Sequence, residues 1–238
     1  MSEPGGWRIE PHGEPQVEPL GERAVLVTLG DRLEPVVNAR ARRIADALQA
    51  HRAGDPRFGR AVPAVASVLV PFDPLALDWA EAASIVSALA VESAGSPVSE
   101  RDPSPASKMP AIEVEVRYGG ADGPDLAEVA DVHGLRAADI VELHAGSTWT
   151  AMFLGFAPGF AYLGPLPPEL ATARRATPRD IVPAGSVAIG GDQSAVYPFS
   201  MPGGWQIIGR TERPMWDLGR ARPNLVGPGD EVRFVPLR

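Results

Sequence analysis

Residues Gly155 to Thr211 read GFAPGFAYLGPLPPELATARRATPRDIVPAGSVAIGGDQSAVYPFSMPGGWQIIGRT. Glycine or proline recurs every few residues, with short apolar runs between. A helix cannot persist through that density of breakers, because proline lacks a donor and glycine costs backbone entropy. A flexible linker would not carry Phe156, Phe160, Tyr162, Tyr197, Phe199 and Trp205. The pattern predicts a compact all-β region of short strands and tight turns whose loops approach a ligand. The functional surface is therefore expected here.

On the C-terminal side, Pro228-Gly229-Asp230 turns into a final strand over 231–235. On the N-terminal side, Trp149 to Leu154 reads as a strand, preceded by short helices over 137–144 and from Gly123 to about Val132. Ile112 to Arg117 alternates cleanly and opens this half as a strand. Residues 93–110, SAGSPVSERDPSPASKMP, carry proline, serine and charge without periodicity, as a connector does. Before them, 23–29 and 65–70 read as strands. Residues 35–51 and 74–92 read as amphipathic helices, with Pro35 in a first turn, where proline is tolerated. Residues 1–17 read as a loose leader. The expected fold class is α+β, with a small N-terminal α/β domain over 1–107 and a β-rich domain over 108–238.

Composition removes several function classes. Hydrophobic residues make up 45% of 238, enough for a core. A net charge of −8 argues against nonspecific nucleic-acid or anionic-membrane binding. No apolar run approaches the roughly 20 residues that span a bilayer, and the N-terminus lacks the basic start and apolar core of a secretory signal. A cytoplasmic location is expected. With no cysteine there is no disulfide, zinc-thiolate site or thiol catalysis. Lys108 is the single lysine and lies in the connector, so neither a Walker A loop nor a Schiff-base lysine in a pocket is expected.

The four histidines, His12, His51, His133 and His144, show no metal-ligand spacing, and no metal site is expected. His144 closes a short helix just before the glycine-rich stretch. It reads either as a histidine favoured by the helix dipole or as a general base or donor to a substrate carbonyl. Gly185-Ser186 and Gly190-Gly191 flank the strand VAI. They read either as two turns or as backbone N–H groups aimed at an oxyanion or carboxylate. Gly203-Gly204 before Trp205 carries the same two readings. Arg174 and Arg175 read as surface residues, whereas Arg179 and Arg210 suit planar binding of carboxylate or phosphate. Gln193 and Tyr197 offer neutral hydrogen-bonding groups suited to an amide or lactam.

The segments LGFAPGFAYLG, TPRDIVPAGSVAIGGDQ, PGGWQIIGRT and PGDEVRF together resemble the carboxyltransferase-domain C/D, or allophanate-hydrolase-subunit-1, family. The resemblance runs from about Gly21 to Pro236. It implies an α/β N-terminal domain and a cyclophilin-like antiparallel β-barrel. It also implies a second cyclophilin-like subunit, of the allophanate-hydrolase-subunit-2 type, with the site between the two, and in addition a third subunit. The activity so implied is ATP-dependent hydrolysis of a cyclic amide, 5-oxo-L-proline to L-glutamate, with ATP as co-substrate. An allophanate-hydrolase or urea-carboxylase-type subunit and a regulatory inhibitor of a sensor histidine kinase are the alternatives. Clustering and resemblance together give an expected catalytic set of His144, Arg179, Gln193 and Arg210. The expected substrate contacts are Tyr162, Gly185, Ser186, Gly190, Gly191, Tyr197, Gly203 and Gly204. Three positions depart from the family pattern: Ser194 and Ala195 stand where threonine-glycine is usual, and Met201 where serine is usual.

Overall fold

The computed structural model describes residues 13–94 and 110–237. The chain divides into two compact units, 1–102 and 103–238. The boundary expected at 107/108 and Lys108 lie outside the described residues, as does His12.

The first unit is a four-stranded antiparallel sheet with two helices. Strands β1 (Gln16–Pro19), β2 (Ala24–Thr28), β3 (Val62–Pro63) and β4 (Ser67–Pro71) lie in the order β1-β2-β4-β3. Val25 and Val27 of β2 and Val68 and Val70 of β4 are fully buried, and their alternation gives the sheet one core face. Helix α1 (Pro35–Gly54) covers that face with Val37, Ala41, Ile44 and Leu48, a helical repeat. Asn38 shares the stripe because its amide donates to the Ala64 and Val65 carbonyls at 3.0 and 3.1 Å. Helix α2 (Trp79–Ala94) adds Ala82, Val86 and Ala90 to the same core.

Two expectations shift here. Residues 16 and 17, read as leader, open β1, whose register pairs Gln16 with Thr28 and Pro19 with Val25; QVEP shows no alternation to announce it. Helix α2 begins at Trp79 rather than Pro74, because 73–78 form a turn held by Asp73 and the Asp78 carboxylate accepts the Glu81 N–H at 2.8 Å, an N-cap bond.

The second unit is a closed barrel. Strands β5 (Ile112–Tyr118), β6 (Thr148–Leu154), β7 (Ala161–Gly164), β9 (Ser186–Gly190), β10 (Gln193–Val196), β12 (Gln206–Arg210) and β13 (Glu231–Pro236) close in the order β10-β7-β6-β13-β5-β12-β9. All neighbours are antiparallel except β5 and β13, which run parallel with Ile112 opposite Val232. Four of the seven strands come from the glycine- and proline-rich stretch. Helices α3 (Leu126–His133) and α4 (Ala137–Gly146) send Val129, Ala130 and Ile140 into one core with the inward residues Val114, Trp149, Leu163, Val187, Ile208 and Phe234. A two-stranded ribbon, β8 (Arg179–Val182) with β11 (Met201–Gly203), lies outside the barrel circuit.

Candidate functional site

Side chains alternate across a strand, so β10 sends consecutive residues to opposite faces. Ser194 and Val196 point into the barrel, and Gln193 and Ala195 point out of it. The expected site residues fall on both sides of that wall.

Inside, His144 is fully buried, with its ring 5.0 Å from Trp149 and 4.5 Å from Phe234. Ser194 Oγ donates to the Ala188 carbonyl at 3.2 Å, so it accepts from His144 Nε2–H at 2.9 Å. Nδ1 is then an acceptor and takes the Tyr118 hydroxyl at 2.7 Å. The chain Tyr118–His144–Ser194–Ala188 fixes one tautomer and satisfies both ring nitrogens. Burial pushes the imidazole pKa down to about 3 and the Tyr118 phenol up. A neutral ring, enclosed and already bonded at both nitrogens, braces the barrel; it has no route to a substrate proton. The dipole reading fails as well, because a neutral ring gains no charge stabilisation from a helix end.

Outside, a second and smaller core gathers Phe160, Val182, Ala188, Ala195, Tyr197, Trp205 and Ile207. Tyr162 packs on its edge and is half-buried; its ring stacks on Phe153 at 4.2 Å and meets Trp205 edge-on at 5.8 Å. Arg174 holds its guanidinium 5.6 Å from the Trp205 ring, a cation-π contact with the cation exposed. Burial raises the pKa of Tyr162 and Tyr197, so both phenols stay protonated donors at neutral pH. Met201 packs against this core. The turn joining β6 to β7 is unusual. Ala157 N–H donates to the Gly155 carbonyl at 2.7 Å around Phe156, which sits at φ +65. That is the strained hand of a three-residue turn, and it leaves Phe156 63% exposed beside Phe160.

The remaining predicted residues divide by what already holds them. Arg179 donates to Asp125 Oδ1 at 2.6 Å, and Arg175 reaches the same oxygen at 3.4 Å. Asp125 is buried, and its other oxygen accepts the Ile207 N–H at 2.6 Å, tying α3 to β12. Arg179 Nη1, Arg210 Nε and Gln193 Nε2 are buried without a hydrogen-bond partner. The amides of Gly185, Ser186 and Gly191 do not form the expected anion cradle. Gly185 N–H donates to the Tyr197 carbonyl, Ser186 N–H to Pro183, and Gly191 N–H to Thr172. Their turns and close contacts explain the glycines instead. A Cβ on Gly185 would lie 2.2 Å from the Thr211 carbonyl oxygen, one on Gly190 2.6 Å from the Trp205 ring, and one on Gly203 2.3 Å from the Tyr197 hydroxyl. Gly204 accepts the Arg175 N–H at 2.7 Å. Thus Tyr162, Tyr197, Gly190, Gly203 and Gln193 share the outer face, Arg179 lies on the ribbon beside it, and His144 is separated from them by the sheet.

Two residues escaped the sequence reading. Arg174 looked like surface charge, and only its placement over Trp205 distinguishes it. Asp125 looked like a helix opener, and nothing local in GPDL signals its partners 50 to 82 positions away. Among the described residues, no three His, Asp or Glu side chains converge as a metal site would require, and no helix is long and apolar enough to cross a membrane.

Comparison with known proteins bears on the whole chain. The family described as carboxyltransferase domain, subdomain C and D, matches residues 15–226. The B-type subunit of 5-oxoprolinase from Escherichia coli O157:H7 is 57% identical over 127 residues, covering 53% of this chain and 58% of that protein. The B-type subunit of 5-oxoprolinase from Bacillus subtilis is 35% identical over 226 residues, covering 93% of this chain and 92% of that one. The crystal structure of TTHA0988 superposes with a TM-score of 0.76 at 33% identity, covering 91% of this chain and 40% of that chain. The match therefore spans little more than half of the Escherichia coli relative and less than half of the TTHA0988 chain.

Proposed function

The chain belongs to the carboxyltransferase subdomain C and D family, and on that premise we propose that it is the B-type subunit of an ATP-dependent 5-oxoprolinase, which opens 5-oxo-L-proline to L-glutamate. The likeness to the Bacillus subtilis subunit over nearly the full length of both chains carries this reading. The outer barrel face would be this chain's share of the site. The half-buried Tyr162 offers apolar contact to a five-membered ring and its hydroxyl a donor to a lactam carbonyl, while Arg174, held exposed against the buried Trp205, offers a cation to the ring carboxylate. Water must be excluded from this face for the chemistry, and a wall that another polypeptide provides would do so. A second cyclophilin-like subunit is the proposed wall, and a third subunit completes the enzyme.

No glycine-rich loop of this chain carries a lysine, so ATP is not held here by a Walker A loop, and the Gly185, Ser186 and Gly191 amides are already committed within the fold. ATP is assigned to the assembled complex, and no step is placed on this chain through it.

Co-expression with candidate partner subunits, followed by a 5-oxoproline-dependent ATPase assay, tests the reading. The expected outcome is turnover that needs this chain and 5-oxoproline together, with urea and allophanate inactive. Turnover with urea or allophanate instead, or equal turnover without this chain, would overturn it.

A further inference from the structure

A cleft of roughly 730 Å³ opens at the barrel end where the parallel strands β5 and β13 begin. Its size falls within the range of small-molecule sites. The floor is apolar, from Ile112 and Leu225, both packed on the barrel core. Arg213, Arg220 and Arg222 supply one wall, and Glu113 and Glu231 stand at the strand starts.

The arginines are held mainly by neutral groups. Arg213 donates to the Glu113 carbonyl at 2.6 Å, Arg220 donates twice to the Pro214 carbonyl at 3.1 Å, and Arg222 donates to the Asn224 and Leu225 carbonyls. A carbonyl fixes a guanidinium without cancelling its charge. Carboxylates neutralise some of these charges: Arg222 pairs with Asp230, Arg220 with Asp217 at 3.6 Å, and Glu113 with Arg233 at 3.9 Å. Arg213 and Glu231 make no ion pair among the described residues. One fixed cation with four N–H donors to spare and one carboxylate therefore share an apolar-floored cleft.

We propose that this cleft binds a zwitterion of dipeptide size, with its carboxylate on Arg213, its ammonium on Glu231 and its apolar side chain over Ile112 and Leu225. This site is independent of the reading given above for the outer face. A simple anion would leave Glu231 repelling it, and an uncharged apolar ligand would leave both charges desolvated without a partner.

The test uses the full chain with L-alanyl-L-leucine, N-acetyl-L-leucine and inorganic phosphate, followed through the methyl resonances of Ile112 and Leu225. The dipeptide is expected to shift both methyls saturably. N-acetyl-L-leucine, which keeps the carboxylate and lacks the ammonium, should bind about three- to tenfold more weakly. Glu231→Gln should remove that difference, and Arg213→Gln should weaken both ligands about tenfold. The wild-type titration needs no variant, so a misfolded mutant leaves the result readable. Equal affinity for the acetylated ligand, phosphate binding as well as the dipeptide, unchanged affinity in Arg213→Gln, or methyls that no probe moves would each overturn the proposal.

Discussion

The inner and outer faces of β10 are built from the same backbone and do opposite things. Inward, Ser194 completes a hydrogen-bond chain in which every polar atom of His144 is used. Outward, Gln193 keeps an unpartnered amide nitrogen and Arg174 leaves its charge exposed over an indole. A satisfied buried polar group rigidifies a fold, whereas an exposed one such as Arg174 is available for a ligand. The residue with the more conspicuous chemistry, histidine, is thus the structural one.

The sharpest way to break this contrast is His144→Ala. It leaves a cavity among Trp149 and Phe234 and orphans the Tyr118 hydroxyl, while Ser194 keeps its bond to the Ala188 carbonyl, so we expect a stability loss of about 4 kcal/mol in urea denaturation. A variant that kept its unfolding midpoint but lost turnover 10²- to 10⁴-fold would return His144 to proton transfer.

Acid gives the same comparison without a cavity. His144 has a folded-state pKa of about 3 against 6.5 for the free side chain, so its neutral form is favoured in the folded state. The unfolded chain binds the extra proton first. Its contribution is therefore complete above pH 6.5 and lost progressively as pH falls toward 3, by a few kcal/mol in all. His144→Asn, which cannot titrate, should show a shallower loss over that window, and identical pH slopes would contradict the assignment.

Glycine positions sharpen the outer face. Gly203→Ala drives a methyl against the Tyr197 hydroxyl and should cost about 2 kcal/mol. Gly191→Ala meets nothing within 4 Å and strains only its φ of +66, for about 1 kcal/mol. Thermal melts of the pair rank ring approach against backbone conformation.

The smallest expected effect on stability belongs to Arg174→Gln, within about 0.5 kcal/mol. In the reconstituted complex the same change should raise KM for 5-oxoproline about tenfold and leave kcat near wild type, as loss of a binding contact does. An unchanged KM would remove Arg174 from the substrate.

How much of this was legible in the sequence follows from the range of the interactions. Breaker density predicted short strands over 155–211, and helical spacing in α1 predicted its buried stripe, because both are local signals. Barrel closure, and the parallel pairing of β5 with a strand more than a hundred residues later, leave no local trace. For the site, the glycines read either as turns or as amide donors, and the structure shows turns at Gly185 and Gly191 and close approaches at Gly190 and Gly203. A glycine needed beside Trp205 and one needed to offer an amide look the same in a sequence. His144 misled because its partners, Tyr118 and Ser194, lie 26 and 50 positions away.

Because the seven strands close into a ring, the barrel offers no unfinished edge for a foreign strand to extend. Backbone pairing, the least discriminating way for two chains to join, is closed off there. Any companion that docks on the wall of the ring must recognise it by side chains and turns rather than by strand pairing, so the choice of companion can be rewritten one residue at a time.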